Sequence, residues 1–166
     1  MKYISFLFLA MFLMVGQAFA QSSGIPNELV GKWNNGKISM TADVNTVTGS
    51  RTPSNGSTFT YQFSADGRFG FVGLMQSTMY GCTTSLFNEK AGKVEVEGNQ
   101  ITFIPSKNFW RNTYSGSPNS NKERDYVSDR ETYEWRTKTD EYGKDYICLA
   151  NAKGESCFRK EEKPKN

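Results

Sequence analysis

The strongest constraint on the fold of this chain is an alternation of aromatic and polar residues with a period of two, interrupted by glycine turns. In residues 58–63, two phenylalanines and a tyrosine alternate with threonine and glutamine. The dipeptide Asp66-Gly67 follows, and Phe69 and Phe71 resume the alternation. A period of two places successive side chains on opposite faces of a strand, and Asp-Gly suits the positive φ angles of a tight turn. These residues predict a β-hairpin with an aromatic inner face.

Further segments show the same alternation between turn signals. Residues 93–97 alternate valine with charged residues, Gly98-Asn99 forms a turn, and the return strand begins at Ile101. Pro105 is predicted to end that strand, because proline cannot donate a hydrogen bond within a sheet. Other predicted strands cover residues 30–38, 80–87, 131–136, 146–149 and 156–159. The pattern gives eight or nine strands, and no segment requires a long helix.

Strands that follow one another through hairpins leave unpaired edges unless the sheet closes. Closure into a barrel removes those edges, and a two-sheet sandwich is the competing arrangement. The predicted hairpins are adjacent, and no Greek-key connection is evident. The sequence therefore predicts an all-β fold, an antiparallel up-and-down barrel of eight to nine strands.

Two polar stretches interrupt the pattern of strands. Residues 41–56 and 106–130 are both longer than a hairpin connection, and we expect them to be lids, binding loops or disordered insertions. The second stretch contains Phe109, Trp110 and Tyr114. These aromatic side chains either form a recognition surface or fold back to cover one end of the barrel.

The first twenty residues have the features of a secretory signal peptide. Lys2 precedes an apolar run from Ile4 to Val15, and Ala18-Phe19-Ala20 gives a small-x-small cleavage pattern. We expect cleavage after Ala20 and a domain that spans residues 21–166. Residue 21 is glutamine and not a lipid-bearing cysteine, and no second apolar stretch predicts a membrane anchor. The expected location is periplasmic or extracellular, in a Gram-negative bacterium.

The charge balance limits the classes of partner. The whole chain has 166 residues and a formal charge of +3, so removal of the segment with Lys2 leaves 146 residues at about +2. This length fits one domain, and so weak a charge predicts neither a nucleic-acid partner nor a membrane-surface partner. The tail from Lys160 to Asn166, rich in lysine and glutamate, is predicted to be a solvated end.

The chain contains no histidine, which removes the commonest general base and the commonest metal ligand. Carboxylate pairs such as Glu95 with Glu97 and Glu131 with Glu134 occupy polar positions that we predict to face solvent. No calcium loop with the required spacing is present. The sequence thus predicts a protein that is not an enzyme and that has no metal site and no cofactor.

Three cysteines, Cys82, Cys148 and Cys157, follow the predicted cleavage site. In an oxidising compartment two of them are expected to pair. Cys148 and Cys157 flank a short turn and would face each other in a plain hairpin, at a separation that makes a bridge feasible. A bridge from Cys82 to either partner is the alternative.

The segment Gly31-Lys32-Trp33, about ten residues after the predicted cleavage site, resembles the Gly-x-Trp opening of lipocalins and of bacterial lipocalin-like domains. The resemblance implies an eight-stranded barrel whose bottom is closed by Trp33. It also implies that an arginine from the last strand covers this indole. Arg159 is the matching residue here, with Arg136 as the substitute.

An aromatic inner face and a barrel together favour a binding protein that carries a small apolar or amphipathic molecule. We expect the site at the interior mouth, lined by Tyr61, Phe71, Met75, Tyr80 and Trp135. Eight-stranded barrels can also fill their interior with side chains and hold nothing. Two other functions stay open, both with a protein partner: a loop-mediated inhibitor of a protease or lysozyme, and a structural or assembly factor of the envelope.

Overall fold

The computed structural model describes residues 24–38, 55–127 and 129–162. The predicted signal segment, nearly all of the predicted loop 41–56 and the last four residues lie outside this part of the chain. The strands are β1 (Gly31–Gly36), β2 (Gly56–Phe63), β3 (Arg68–Met79), β4 (Cys82–Glu97), β5 (Gln100–Tyr114), β6 (Lys122–Asp125), β7 (Glu131–Thr139), β8 (Asp145–Asn151) and β9 (Gly154–Lys160). A short 3-10 turn, Pro118–Ser120, lies between β5 and β6.

Eight of these strands form a closed antiparallel ring in the order β1-β2-β3-β4-β5-β7-β8-β9, and β9 returns to β1. The ninth strand, β6, pairs with the second half of β5 outside the ring. The predicted all-β, up-and-down barrel is confirmed, and its shape is compatible with a lipocalin-like fold. We call the end with the β2–β3 and β4–β5 turns the lower end and the end with the β3–β4 turn the upper end.

The first predicted hairpin is confirmed in detail. Phe63 pairs with Phe69 and Tyr61 with Phe71, so the aromatic side chains of both strands share the inner face. The turn between them contains Gly67, whose φ of 77° suits glycine.

The prediction that a strand ends at Pro105 is wrong, and so is the separation of the strands predicted over residues 80–87 and 93–97. The segments at 80–87 and 93–97 belong to one sixteen-residue strand, β4, which begins after a turn at Tyr80. β5 continues through Pro105 because the register shifts opposite Ala91 and Gly92. A Cβ atom on Gly92 would lie 2.1 Å from the backbone oxygen of Ile104, so glycine permits this close approach.

Residues 106–130 are consequently not the long loop that the sequence predicted. They contain the second half of β5, the 3-10 turn and β6. β5 pairs on one side with β4 over nearly its whole length, and on the other side first with β7 and then with β6. The aromatic residues of this stretch are therefore held in a sheet.

The apolar core fills the lower half of the barrel. Its buried side chains come from seven of the eight ring strands and from the segment before β1: Ile25, Leu29, Trp33, Phe63, Phe69, Val94, Ile101, Phe103, Ile147, Leu149 and Phe158. Trp33 is 1% exposed, and its Nε1 donates a hydrogen bond of 2.8 Å to the backbone oxygen of Leu29. The residues before β1 thus close the bottom of the barrel together with Trp33.

Lys160, and not Arg159 or Arg136, lies over the Trp33 ring, with Nζ 5.1 Å from the ring centroid. Trp33 pairs directly with Lys160 across the β1–β9 ladder, so both side chains lie on the same face. Arg159 is the next residue and points to the opposite, exposed face. Arg136 instead forms an ion pair with Glu155. Lys160, which we expected in the solvated tail, is part of the barrel.

The disulfide between Cys148 and Cys157 is confirmed. The two residues are a direct pair of the β8–β9 ladder, and their sulfur atoms are 2.06 Å apart. Arg136 on β7 reaches across β8 to Glu155 on β9 with two hydrogen bonds of 2.9 Å, and a Glu155 oxygen lies 3.8 Å from the Cys157 sulfur. This ion pair covers the bridge on the outer face. Cys82 is free and exposed.

We predict that Trp33→Ala lowers the free energy of unfolding by about 3–5 kcal/mol, because it leaves a large cavity in the core. Urea unfolding measured by circular dichroism checks this value. The control is Trp110→Ala, since Trp110 is only partly buried and lies above the core. A loss at Trp33 of less than about 1 kcal/mol would contradict the role of this indole in closing the barrel.

Candidate functional site

The barrel interior is packed with aromatic rings at the level of Tyr61. The Tyr61 ring centroid lies 4.7 Å from that of Phe71, 5.7 Å from Phe63, 5.3 Å from Phe103 and 5.1 Å from Phe158. These rings come from four different strands and meet across the barrel. A ligand that occupies the barrel axis below Tyr61 would have to displace them, so the space for a ligand lies above this level.

A groove of about 250 Å³ opens at the upper end, on the inner face of the long strands. It is lined by Phe59, Phe71, Gly73, Met75, Leu86, Asn88, Trp110 and Tyr126. We call it the rim groove. Met75 is 47% exposed although its side chain is apolar, which leaves an accessible apolar surface at the groove. Among its lining side chains, the Asn88 amide, the Tyr126 phenol and the Trp110 indole N–H are polar groups and the others are apolar, so the groove suits an apolar or amphipathic molecule.

Two of the five predicted ligand-contact residues, Phe71 and Met75, line the rim groove, and Tyr61 lies directly below it against Phe71. The other two lie elsewhere. Tyr80 is fully exposed at the tip of the β3–β4 hairpin. Trp135 is at the lower end, where its Nε1 donates to the backbone oxygen of Gly98.

The predicted set missed the residues that β4, β5 and the segment after β6 contribute to the groove. Trp110 was assigned to a loop, and Leu86 and Asn88 were not selected as contacts. The sequence shows no apolar–polar alternation here, because Leu86 and Asn88 share the inner face although one is apolar and one polar, and the aromatic Phe87 lies on the outer face. The pairing of Asn88 with Trp110 brings these two strands together at the groove.

Gly73 keeps the groove open between two aromatic rings. A Cβ atom at this position would lie 3.1 Å from the nearest ring atoms of both Phe59 and Phe71. Any side chain there would press on these rings and extend into the groove. Glycine is therefore needed at this position for the space that it leaves at the floor of the groove, and not for a positive φ angle.

The wall formed by Trp110 and Tyr126 is stabilised by a cation from β6. The guanidinium carbon of Arg124 lies 5.8 Å from the Trp110 ring centroid and 5.6 Å from that of Tyr126. Arg124 pairs with Trp110 across the β5–β6 ladder, which fixes this arrangement. Cation–π contacts of this kind contribute about 0.5–1 kcal/mol each at exposed sites. The extra strand thus orients one wall of the groove.

A polar cluster of three residues lies inside the barrel beside the groove. Lys90 on β4 forms an ion pair with Glu131 on β7, and the Tyr133 hydroxyl donates to the other Glu131 oxygen at 3.0 Å. The prediction that Glu131 faces solvent is wrong. Glu131 and Glu134 are three residues apart in one strand and therefore point to opposite faces, and only Glu134 is exposed.

Burial and the Glu131 charge both affect the nearby phenols. The pKa of Tyr133 is raised to about 12, first by burial and then by the charge of Glu131 and the hydrogen bond to it. Burial also raises the pKa of Tyr61, with a smaller effect from Tyr133 and Glu131. Both phenols are therefore neutral hydrogen-bonding groups over the whole physiological pH range.

A second depression of about 280 Å³ opens on the opposite side of the mouth, near the β8–β9 turn. Tyr61 and Tyr133 form its inner wall, and Lys153, Glu155 and Ser156 are among the residues at its outer side. The charged side chains make it less suited to an apolar molecule than the rim groove. Cys148, Glu155 and Cys157 also lie within ligand distance of one another, but both sulfur atoms belong to the disulfide and cannot act as thiolate ligands.

The fold and the groove define a class: a closed antiparallel β-barrel with a packed lower core and an apolar groove at its rim. No protein-family model matches this chain, and no curated protein and no solved structure matches it either. Within the part of the chain that the structure describes, no helix is long and apolar enough to cross a membrane.

We predict that Tyr133 ionises with a midpoint near pH 12, well above the ordinary value of 10.0. The difference in absorbance at 295 nm between the wild type and Tyr133→Phe isolates this titration. Because the folded-state pKa is the higher one, the stabilisation linked to this group is complete below pH 10 and is lost as the pH rises through about 12.

The control for the Tyr133 titration is Glu131→Gln, which removes the charge and keeps a hydrogen-bond acceptor. The midpoint should fall in this variant without returning to the ordinary value, because burial is the larger cause of the shift. A wild-type midpoint near pH 10 would show that Tyr133 is not held in the polar cluster.

Proposed function

We propose that this chain is an exported, non-enzymatic binding protein that holds a small apolar or amphipathic ligand in the rim groove. The observation that carries the proposal is the groove itself, an accessible and mostly apolar surface on the inner face of the sheet. Exposed apolar surface that is concave and rimmed by polar residues is typical of ligand-binding sites in soluble proteins.

The size of the groove limits the ligand. Its volume of about 250 Å³ is below the range of roughly 300–1,000 Å³ of sites for drug-sized molecules. A short acyl chain or a small ring system would fit, and a larger ligand would leave part of its surface in solvent. The hydrophobic effect contributes about 25 cal/mol to the free energy of binding for each Å² of apolar surface that the ligand buries.

Other features support the export and non-enzymatic parts of the proposal. A disulfide persists in an oxidising compartment, which agrees with the signal-like features of residues 1–20. The chain has no histidine, and among the eight residues that line the groove the Tyr126 phenol is the one titratable group, with no carboxylate, amine, thiol or serine hydroxyl beside it in that set. The groove therefore offers shape and apolar contact, with a single amide group as its strongest polar feature.

The test compares two variants on the same strand. We expect Met75→Asp to weaken binding of the neutral fluorophore N-phenyl-1-naphthylamine by about tenfold or more, because a charge in an apolar groove opposes burial of the probe. Val72→Asp is the matched control. Val72 is 41% exposed on the outer face of β3, so this variant should bind like the wild type.

Fluorescence titration measures both affinities, and mass spectrometry of a solvent extract of the purified protein identifies any native ligand. Equal affinities for the two variants, or no binding by the wild type, would exclude the rim groove as a binding site for small apolar molecules.

A second candidate function is recognition of a protein partner through the β3–β4 hairpin. Met79 is 65% exposed and Tyr80 is fully exposed at its tip. Tyr80 has a φ of 50°, and within the described residues no other non-glycine residue has a positive φ. A bulky residue in this strained conformation is unusual and is often found where function requires it. For the inhibitor hypothesis, this tip takes the place of the predicted loop 106–130, which is a sheet, whereas the predicted loop 41–56 lies almost wholly outside the described residues.

We predict that Tyr80→Asn raises the free energy of unfolding by up to about 1 kcal/mol, because asparagine adopts the left-handed conformation with less strain. Tyr142→Asn, at another exposed turn but without a positive φ, should bring no such gain. Urea unfolding compares the two variants. If Tyr80→Asn is as stable as the wild type, or less stable, the turn does not store strain. Affinity of the rim groove should be unchanged in this variant.

A further inference from the structure

The orientation of the Asn88 side chain in the rim groove is fixed by its partners. Its Nδ2 atom lies 2.9 Å from the backbone oxygen of Phe109 and 3.0 Å from Oδ1 of Asn108. A backbone carbonyl can only accept a hydrogen bond, so the Asn88 atom that faces Phe109 must be the nitrogen. The exchange of nitrogen and oxygen that is often ambiguous for asparagine is therefore excluded here.

The same reasoning fixes Asn108. Because Asn88 Nδ2 donates, the Asn108 atom opposite it must be the oxygen, and Asn108 Nδ2 points elsewhere. Asn108 is 3% exposed, and its Nδ2 has no hydrogen-bond partner among the described residues. Rotation of the Asn108 amide would place two NH₂ groups against each other. The buried residue thus holds Asn88 in one orientation.

Both amide hydrogens of Asn88 are consequently used within the protein. The remaining polar atom is Oδ1, an acceptor for which the described residues offer no hydrogen-bond donor. Asn88 lines the groove among apolar side chains. Lys90 lies two residues further along β4, on the same face of the strand as Asn88, and its ammonium group forms an ion pair with Glu131.

We infer that the polar group of the ligand is a hydrogen-bond donor, a hydroxyl or an N–H group on an apolar skeleton, which binds to Asn88 Oδ1. This inference rests on the proposed function and specifies its ligand class. An ether or a carboxylate brings only acceptors to an acceptor and is disfavoured at this point. An anionic ligand that binds through Arg124, beside Trp110 and Tyr126, is the competing outcome.

The experiment compares three probes with apolar chains of similar length: 1-octanol, octyl methyl ether and octanoate. Each displaces N-phenyl-1-naphthylamine from the wild-type protein at neutral pH. We expect 1-octanol to bind about 3–10-fold more tightly than the ether, the effect of one net hydrogen bond, and more tightly than octanoate. Equal affinity of alcohol and ether, or tightest binding of octanoate, would overturn the inference.

The variant Asn88→Leu localises the effect. The preference for alcohol over ether should fall to about one, whereas Asn112→Ala should keep the wild-type preference. Asn112 lies on the same inner face of the sheet but does not line the groove. A preference that persists in Asn88→Leu would contradict the role of Asn88. If Asn88→Leu does not fold, the comparison of the three probes on the wild-type protein still tests whether the ligand donates a hydrogen bond.

The outcomes separate the two proposals. If none of the probes and no fluorophore binds the wild type, the proposed function fails and the inference fails with it. A different result is that the fluorophore binds the wild type, Met75→Asp weakens its binding, and alcohol and ether bind equally well. In that case the groove is a binding site, but the ligand class inferred from Asn88 is wrong.

Discussion

The barrel depends on the junction between β1 and β9, the shortest ladder in the ring. Two residue pairs join these strands, and one of them is Trp33 with Lys160. Side chains and flanking backbone complete the junction: Asn35 Nδ2 donates to the backbone oxygen of Cys157 at 2.7 Å, and the Glu161 N–H donates to the Lys32 oxygen at 2.8 Å. Because the ladder is short, the indole that is buried against it and its hydrogen bond to the preceding turn determine whether the sheet closes.

The lengths of the strands explain why a packed core and an open groove occur in one barrel. β3, β4 and β5 have 12, 16 and 15 residues, whereas β8 and β9 have seven each. The long strands extend beyond the ring at the upper end, where β5 leaves β7 at Phe103 and pairs with β6. Below this point inner side chains meet across the barrel, and above it they lack an opposite wall. The rim groove is a consequence of this mismatch.

Much of the fold could be predicted from the period of two, but the face of each residue could not. The alternation was correct for residues 58–71, where one face is aromatic and the other polar. It failed in β5 beyond Pro105, because Asn108 and Asn112 place polar residues on the inner face and remove the contrast between faces. The resemblance implied Arg159 as the cover of Trp33, but a difference of one residue reverses the face, and the register with β1 places Lys160 there instead. The sequence signal was weakest at the candidate site.

The asparagines on the inner face are costly for the stability of the barrel. A buried donor without a partner, such as Asn108 Nδ2, costs about 1–3 kcal/mol, and apolar residues at both asparagine positions would avoid this cost. Packing does not explain a hydrogen-bonded pair of amides, Asn88 in the wall of an apolar groove and Asn108 buried beside it. The proposed ligand binding would explain the pair, because it leaves one acceptor of fixed direction at Asn88. Local departures from the requirements of folding are expected at functional sites, and here the failure of the alternation and the stability cost occur at the same residues.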